Sequence, residues 1–455
     1  MSTIAAISTS PGIGGIGIIR ISGKESFNII QKIFKPKNKD KEIKGYTIKY
    51  GNIINPKNNE IIDEVLVSYF KEPKSYTTED MCEINSHGGN IVMKQILEIC
   101  LENGAQLAEA GEFTKRAFLN GRIDLVEAEA IIDIINAKTE KEKKASLKQL
   151  EGYLSEEINK IKKEILSVMA DIEVSIDYPE YDIEEVTNNK ILDMLKKVRN
   201  ELVTLENSFQ NGKIIKEGIK TVIIGKPNVG KSSLLNVILN EERAIVTEYE
   251  GTTRDTIEEY VTVEGIPLKI IDTAGIRKTE NEVEKIGINK SIELTKDADL
   301  IIAIFDITND ITKDDEEILD LIKNKNAIVV LNKTDLQQND KLVDRIQKLN
   351  KKIVKISALK KEGINELYKE IANLFNLNKI NIEAENIITN TRHKDLIIKA
   401  IQNIDKSIET INNDVPIDII AIYIKNILEY LGKITGENVS EDIINEIFSK
   451  FCLGK

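Results

Sequence analysis

Between Gly225 and Ser232 the chain reads Gly-Lys-Pro-Asn-Val-Gly-Lys-Ser, a full match to GxxxxGK[ST]. The glycines let backbone N–H groups wrap a phosphate chain, Lys231 offers a point charge to β- and γ-phosphates, and the Ser232 hydroxyl is a ligand for Mg²⁺. Further along, Asp272-Thr-Ala-Gly275 supplies a carboxylate facing Mg²⁺ and, at Gly275, an N–H able to sense a γ-phosphate; Thr253, within Gly251-Thr-Thr-Arg-Asp255, is the candidate switch threonine that closes on the metal. Asn332-Lys-Thr-Asp335 then selects the base. A carboxylate at Asp335 accepts two hydrogen bonds from the N1–H and exocyclic amine of guanine, a donor pair that adenine lacks. Ser357-Ala358 is expected to complete the pocket with a backbone N–H for the guanine carbonyl. Five elements in this order predict a domain, roughly from Ile219 to Leu374, that binds and hydrolyses GTP.

The position after the DxxG, where Ras-like enzymes carry a water-orienting glutamine, holds the apolar Ile276. Glu284, in Glu280-Asn-Glu-Val-Glu284, is therefore the favoured group for orienting the attacking water. For the charge developing on the β–γ bridge, Arg254 and Arg277 are both near enough in sequence to act as a finger, and each is equally able to form a local ion pair.

These residues need rigid mounts. Apolar runs at Thr221–Ile224, Leu268–Ile271, Ala327–Leu331 and Ile353–Ile356 read as buried strands, each leading into one of the motifs, and a helix is expected from Ser233. Before residue 120, strands are expected at Ile4–Ile7, Gly17–Ile21, Thr47–Ile53, Glu64–Phe70 and Met81–Asn85, with helices near Ser26–Phe34 and Asn90–Asn103. From Ile123 the apolar spacing becomes helical, through Leu154, Ile158, Ile161 and Ile165 and then Ile191, Leu195, Val198, Leu202, Leu205 and Phe209. That last stripe needs a partner, which Leu396, Ala400, Ile404, Ile408 and Ile411, followed by Ile417–Leu431, can supply only after the nucleotide segment. The nucleotide-binding segment thus reads as an insertion in a helical domain.

A chain of 455 residues has room for several cores. Its net charge of −12 argues against a broad polyanion binder, and with no Trp and 5% aromatic residues it has few rings for stacking on bare bases. Cys82, Cys100 and Cys452 form neither a disulfide framework nor a CxxC pair. No stretch approaches the roughly 20 apolar residues of a membrane span, and the N-terminus lacks a signal-peptide pattern. A soluble cytoplasmic protein without membrane contact is expected. Gly12-Ile-Gly-Gly-Ile-Gly17 fits GxGxxG, but the period-two pattern that follows is a strand, so the dinucleotide reading lacks its helix. His87, in Ser86-His-Gly-Gly89, is readable as a turn residue or a catalytic group.

The motifs GKPNVGKS, GTTRD, DTAGIRKTENEVEKIG and NKTD, the N-terminal PGIGGIGIIRISG, SYTTEDMCEINSHGG and GEFTKRAFLNGRIDLVEAEAI, and the terminal FCLGK together resemble the tRNA modification GTPase family MnmE, also called TrmE, essentially end to end. The resemblance implies a multidomain α/β plus α fold. Residues 1–120 would form an α+β, aminomethyltransferase-like domain for tetrahydrofolate binding and dimerisation; 121–215 and 377–455, the latter ending in the CLGK tail, two parts of a helical domain; and 216–376 an inserted Ras-like P-loop GTPase domain.

It further implies a potassium-dependent GTPase working as a homodimer with the flavoprotein MnmG, in a heterotetramer or larger complex. The pair would install an aminomethyl-type group on C5 of the wobble uridine of certain tRNAs, using 5-formyl- or 5,10-methylene-tetrahydrofolate. Carried over by position, K⁺ would be held by Asn228, Thr247, Tyr249 and Thr252, and Mg²⁺ by Ser232 and Thr253. GTP would touch Asn228, Val229, Gly230, Lys231, Ser232 and Ser233; Thr247, Glu248, Tyr249, Glu250, Gly251, Thr252 and Thr253; Asp272, Thr273, Ala274 and Gly275; and Asn332, Lys333, Asp335, Ser357 and Ala358. Folate would meet Arg20, Glu83 and Lys455, and Arg122 where relatives can carry lysine, a change that keeps charge and alters geometry. Cys452 becomes a catalytic candidate, as a nucleophile toward the uridine. The alternative is a regulatory RNA-binding GTPase of ribosome assembly. Era-type chains add a KH module and Der-type chains a second G domain, whereas this chain has one set of G motifs and ends in helices. A stand-alone aminomethyltransferase with a vestigial GTPase is set aside because every G element is intact.

Overall fold

The structure, a computed structural model, describes residues 1–38, 45–177, 184–240, 244–245, 259–271, 295–380, 387–413 and 415–455. They divide into two compact units: Met1–Ile132, Gln149–Leu195 and Gln402–Lys455 form the first, and Asp133–Lys148 with Lys196–Ile401 the second.

In the first unit, β1 (Ile4–Ile7), β2 (Gly14–Ser22), β3 (Phe34–Pro36), β4 (Thr47–Ile54), β5 (Ile61–Phe70), β6 (Met81–Gly88) and β7 (Gln106–Leu107) form a sheet of order β3-β4-β5-β6-β2-β1-β7. Neighbours are antiparallel except β1 and β7. Alternation sends Ile19, Ile21, Val65, Val67, Cys82 and Ile84 to one face, where α1 (Ser26–Ile33) and α2 (Asn90–Glu102) bury them under Ile29, Ile30, Met93 and Ile96. The other face carries the exposed Ile48, Tyr50 and Leu66. Period two therefore located the strands correctly, while β3 and β7 were too short for periodicity to reveal, and α3 (Glu112–Leu119), as long as α1, was not expected. His87 lies on β6 and not in a turn, with Nδ1 2.7 Å from Asp63 Oδ1. Gly14 onward is strand, so GxGxxG opens no helix.

The same unit holds α4 from Leu125 to Ile132 (the helix runs Leu125–Asn136), α6 (Tyr153–Asp177), α13 (Ile417–Thr435) and α14 (Glu441–Ser449). Ile158, Ile161 and Ile165 of α6 are buried, as are Ile420, Ile424 and Ile427 of α13, and these two helices pack on each other. Phe448 of α14 and Phe451 stack against each other at 5.2 Å and sit in a cluster with Ala117, Leu125 and Ala128, which anchors the last residues of the chain.

In the second unit, β8 (Ile219–Ile224), β9 (Ala244–Ile245), β10 (Glu259–Val263), β11 (Ile266–Ile270), β12 (Leu300–Asp306), β13 (Ala327–Asn332) and β14 (Lys352–Lys355) form a sheet of order β14-β13-β12-β8-β11-β10-β9. β14, β13, β12, β8 and β11 are parallel; β10 and β9 run antiparallel to their neighbours. Burial on both faces explains the unbroken apolar runs of β12 and β13. From β8 the chain builds β9–β11 on one side and β12–β14 on the other, so strand order reverses beside β8. A ligand crevice is expected there, outside the carboxyl ends of the strands.

Helices α8 (Lys231–Leu239), α9 (Lys313–Ile322), α10 (Asp340–Gln347) and α11 (Ile364–Leu374) flank the sheet, and Thr312 with Asp315 forms a capping box at α9. The unit also includes Glu140–Lys148 of α5 (Glu140–Leu150). Ala145 of that helix lies in one core with Val261, Val263 and Ile266, and Lys138 Nζ sits 3.6 Å above the Tyr260 ring, so this segment docks on the β10–β11 hairpin.

The boundaries between units fall inside helices, including α7 (Glu184–Glu217) and α12 (Thr391–Asn412). The α7 stripe from Ile191 to Phe209 is buried as its spacing requires. On α12 the expected face is rotated. Ile397, Ala400, Ile404 and Ile411 are buried together with the polar His393 and Ser407, while Leu396 and Ile408 are only half-buried. Ser407 turns inward at little cost because its hydroxyl donates to the Asn403 carbonyl one turn back (2.9 Å).

Candidate functional site

At the carboxyl end of β8 the loop from Gly225 turns into α8, whose first residues are Lys231, Ser232 and Ser233. Gly230 has φ +100°, and a Cβ there would lie 2.1 Å from Asn332 Nδ2, so only glycine fits. That close approach is functional in form. Asn332 Nδ2 donates to the Val229 carbonyl (2.8 Å) and its Oδ1 accepts from the Ala358 N–H (3.0 Å). One buried amide thus ties the phosphate loop, the end of β13 and the Ser357-Ala358 turn together. Of the two backbone N–H groups in the expected Ser357-Ala358 element, that of Ala358 donates to Asn332 here.

Asp335 lies past β13, where Ser357 donates its hydroxyl to Oδ1 (2.6 Å), and this hydrogen bond holds the carboxyl below the usual range. An ionised, oriented carboxylate is what recognition of the guanine donor pair requires. Asn228 stands exposed in the phosphate loop at φ +62°, with an amide oxygen available to a cation.

Lys231 donates from Nζ to the carbonyls of Gly225 (2.8 Å) and Lys226 (2.6 Å), and burial pulls its pKa down to about 8. Anionic phosphates favour the ammonium, so ligand binding takes up a proton once the pH exceeds that value. From pH 7.5 to 9 the Kd for GDP is expected to rise by about eight-fold. In Lys231→Arg, charged throughout, the slope flattens; a wild-type Kd constant over this range contradicts the expectation.

The remaining residues of this site, Thr247, Glu248, Tyr249, Glu250, Gly251, Thr252 and Thr253, Asp272, Thr273, Ala274 and Gly275, and Glu284, lie outside the described residues, as do Arg254 and Arg277.

A second constellation forms in the first unit. Arg20 on β2 donates from Nε (2.9 Å) and Nη2 (2.7 Å) to Glu83 Oε1, its cross-strand partner on β6, and from Nη1 to the Gly454 carbonyl (3.3 Å). Its guanidinium lies 5.1 Å from the Tyr76 ring centroid and 5.5 Å from that of Phe113. Arg122 also covers Tyr76, at 4.6 Å. The Lys455 carbonyl accepts from the Phe113 N–H (3.2 Å), and the Ser8 hydroxyl donates to the Gly454 carbonyl (2.9 Å).

The loop carrying Tyr76 is fixed by Glu79, which accepts from Ser22 (2.8 Å) and the buried Arg116 (3.0 Å). Arg20, Glu83, Arg122 and the backbone of Lys455 thus converge on one site, joined by Ser8, Tyr76, Phe113 and Gly454, which sequence reasoning missed. Cys452 is exposed, and its carbonyl accepts from the Gly111 N–H (3.4 Å).

Two family models match the chain: the MnmE helical domain over residues 125–452, and the GTP-binding protein TrmE N-terminus over residues 3–122. The chain is 51% identical over 455 residues to the tRNA modification GTPase MnmE of Acetivibrio thermocellus, with 100% of this chain and 99% of that one covered. To its counterpart in Thermoanaerobacter pseudethanolicus it is 50% identical over 459 residues, again covering 100% and 99%. Among solved structures it is similar to the FeoB G-domain of Methanococcus jannaschii at 29% identity, covering 35% of this chain and 98% of that chain, with a TM-score of 0.25. Full-length relatives at half identity and family models spanning almost the whole chain lead to one conclusion: this chain belongs to the MnmE/TrmE family.

Proposed function

We propose that this protein is a GTP hydrolase acting in tRNA modification, and that GTP hydrolysis in residues 216–376 gates one-carbon chemistry in the N-terminal domain. One observation carries the nucleotide reading: Asn332 binds both the phosphate loop and the base-reading turn, so phosphate and base ends of one ligand are held at a fixed separation. Family membership supplies tRNA as the substrate on which the chemistry falls. Modification of the wobble uridine at C5 is the reaction, and MnmG the flavoprotein partner in a heterotetramer or larger complex. The cytoplasm is the compartment; no helix among the described residues is long and apolar enough to cross a membrane.

The donor sets suit the implied ions. A hydroxyl at Ser232 with Thr253 and Asp272 is a hard oxygen set of the kind Mg²⁺ takes. The Asn228 amide oxygen, with carbonyls of Thr247, Tyr249 and Thr252, is neutral and suits K⁺, which supplies positive charge where an arginine finger would act. Glu284 orients the attacking water. Along the sequence, the β10–β11 hairpin joins Gly251–Asp255 to Asp272–Gly275. Lys138 and Ala145 hold that hairpin, so the nucleotide state is passed to a helix.

In the N-terminal domain, the half-buried Tyr76 gives a flat surface, Glu83 a carboxylate for an aminopyrimidine ring, and Arg122 a cation for a carboxylate tail. This is the chemistry of a tetrahydrofolate, which supplies the one-carbon unit when bound. Arg20 and Glu83 lie on the same sheet face as the exposed Ile48, Tyr50 and Leu66, and that apolar surface supports homodimerisation through this domain.

GTP turnover in potassium against sodium at matched ionic strength tests the gating reading. Turnover is expected to be faster in potassium, to lose that preference in Asn228→Ala, and to fall by about 10² or more in Glu284→Ala while nucleotide binding persists. Equal rates in the two salts return the finger role to Arg254 or Arg277.

A further inference from the structure

Asp306 belongs to none of the motifs that bind nucleotide, yet it is the last residue of β12, at the carboxyl edge beside the nucleotide crevice, and is 6% exposed. Its cross-strand partner is Asn332. Oδ2 lies 2.6 Å from Lys333 Nζ, while Oδ1 accepts from the Thr308 N–H (3.0 Å) and hydroxyl (2.7 Å). Burial raises the carboxyl pKa, but the hydrogen bonds from Lys333 and Thr308 outweigh it and hold the group ionised.

Lys333 adopts φ +68°, a conformation uncommon for a residue with a side chain. It stands between Asn332, which ties the phosphate loop, and Asp335, whose carboxylate its charge helps to keep ionised. A lysine anchored at its ammonium presents its four methylenes as an ordered apolar strip, whereas an unanchored one must lose that rotamer freedom when a planar ligand settles on it.

We infer that Asp306 is a positioning residue for guanine-nucleotide binding, acting through Lys333: the ion pair preorders the lysine stem as a wall of the base pocket and its charge beside Asp335. The inference rests on the GTP reading of this site.

The test is a double-mutant cycle on the full chain, read as the Kd for N-methylanthraniloyl-GDP. Asp306→Asn, which keeps the shape and removes the charge, is expected to weaken binding by about tenfold, in keeping with an ordered ion-paired side chain. In a Lys333→Met background, where the stem remains and the ammonium is gone, the same substitution is expected to cost nothing further, because its target is absent. Should Asp306→Asn fail to fold, Lys333→Met is expected to weaken binding by a similar factor and Lys333→Arg, which can keep the ion pair, to recover most of it. An unchanged Kd in Asp306→Asn, or an equal loss in both backgrounds, overturns the inference and leaves the GTP reading intact. A wild-type chain that does not bind the probe overturns both.

Discussion

Asp335→Asn is expected to exchange guanine for xanthine. The carboxylate, oriented by Ser357 at 2.6 Å, can accept from both N1–H and the exocyclic amine of guanine. An amide keeps one acceptor and turns the other position into a donor, which faces the guanine amine donor to donor. Loss of one charge-assisted bond and creation of an unpaired contact predict GTP binding weaker by roughly 10²- to 10⁴-fold. Xanthine has a carbonyl where guanine has the amine, so it matches the amide and xanthosine triphosphate should bind and turn over. Competition titrations with the two nucleotides read the exchange directly. If the variant retains GTP affinity and gains none for xanthosine triphosphate, Asp335 does not read the base.

The second large effect is expected in the unit that holds the N-terminal sheet. Gly454 has φ +83°, and a Cβ there would lie 2.2 Å from the Ile7 carbonyl oxygen, with the Ser8 Cα at 2.7 Å. Gly454→Val must therefore lift the tail off β1, breaking the contacts of its carbonyl with Ser8 and Arg20. Without that carbonyl Arg20 loses one of the partners that hold it over Tyr76 and Phe113, and Cys452 loses its register with Gly111. Modified wobble uridine in tRNA, measured by mass spectrometry with the variant as sole copy, is expected to fall more than about tenfold; a misplacement of about 1 Å at a reacting centre already costs on the order of 10². GTP turnover should persist within about twofold, since the nucleotide site is built from other segments. Undiminished modification would show that the tail does not organise the N-terminal site.

The contrast between these sites explains what the sequence revealed. Phosphate-loop chemistry is local: Gly225 to Ser232 follow one strand and open one helix, so composition and spacing within a dozen residues carry the signal. Strands β8, β12 and β13, buried on both faces, announce themselves as apolar runs. The N-terminal site has no such compactness. Ser8, Arg20, Tyr76, Glu83, Phe113, Arg122 and Gly454 meet through a seven-stranded sheet and a chain terminus more than 400 residues from the strand it touches. No periodicity encodes that closure. Resemblance supplied Arg20, Glu83, Arg122 and Lys455, but not the rings over which both arginines lie.

Asp306 escaped for a related reason. A single carboxylate at a strand end looks like an ordinary solvated residue until β12 is laid beside β13 and Lys333 folds back onto it. On α12, hydrophobic spacing alone chose Leu396 and Ile408 over His393 and Ser407, because a buried polar side chain leaves no apolar mark in the sequence. His87 misled through its neighbours: Gly88 and Gly89 suggest a turn, while Asp63 on the adjacent strand draws His87 into β6.

Every role given to the nucleotide site depends on hydrolysis of a guanine nucleotide at the β8 crevice. Its most direct test is steady-state phosphate release from GTP and from ATP by the full chain in potassium buffer with Mg²⁺, alongside Lys231→Ala. Turnover of GTP, background release from ATP, and loss of GTP turnover in the variant are expected. Equal release from the two nucleotides, or GTP turnover unaffected by Lys231→Ala, would contradict it.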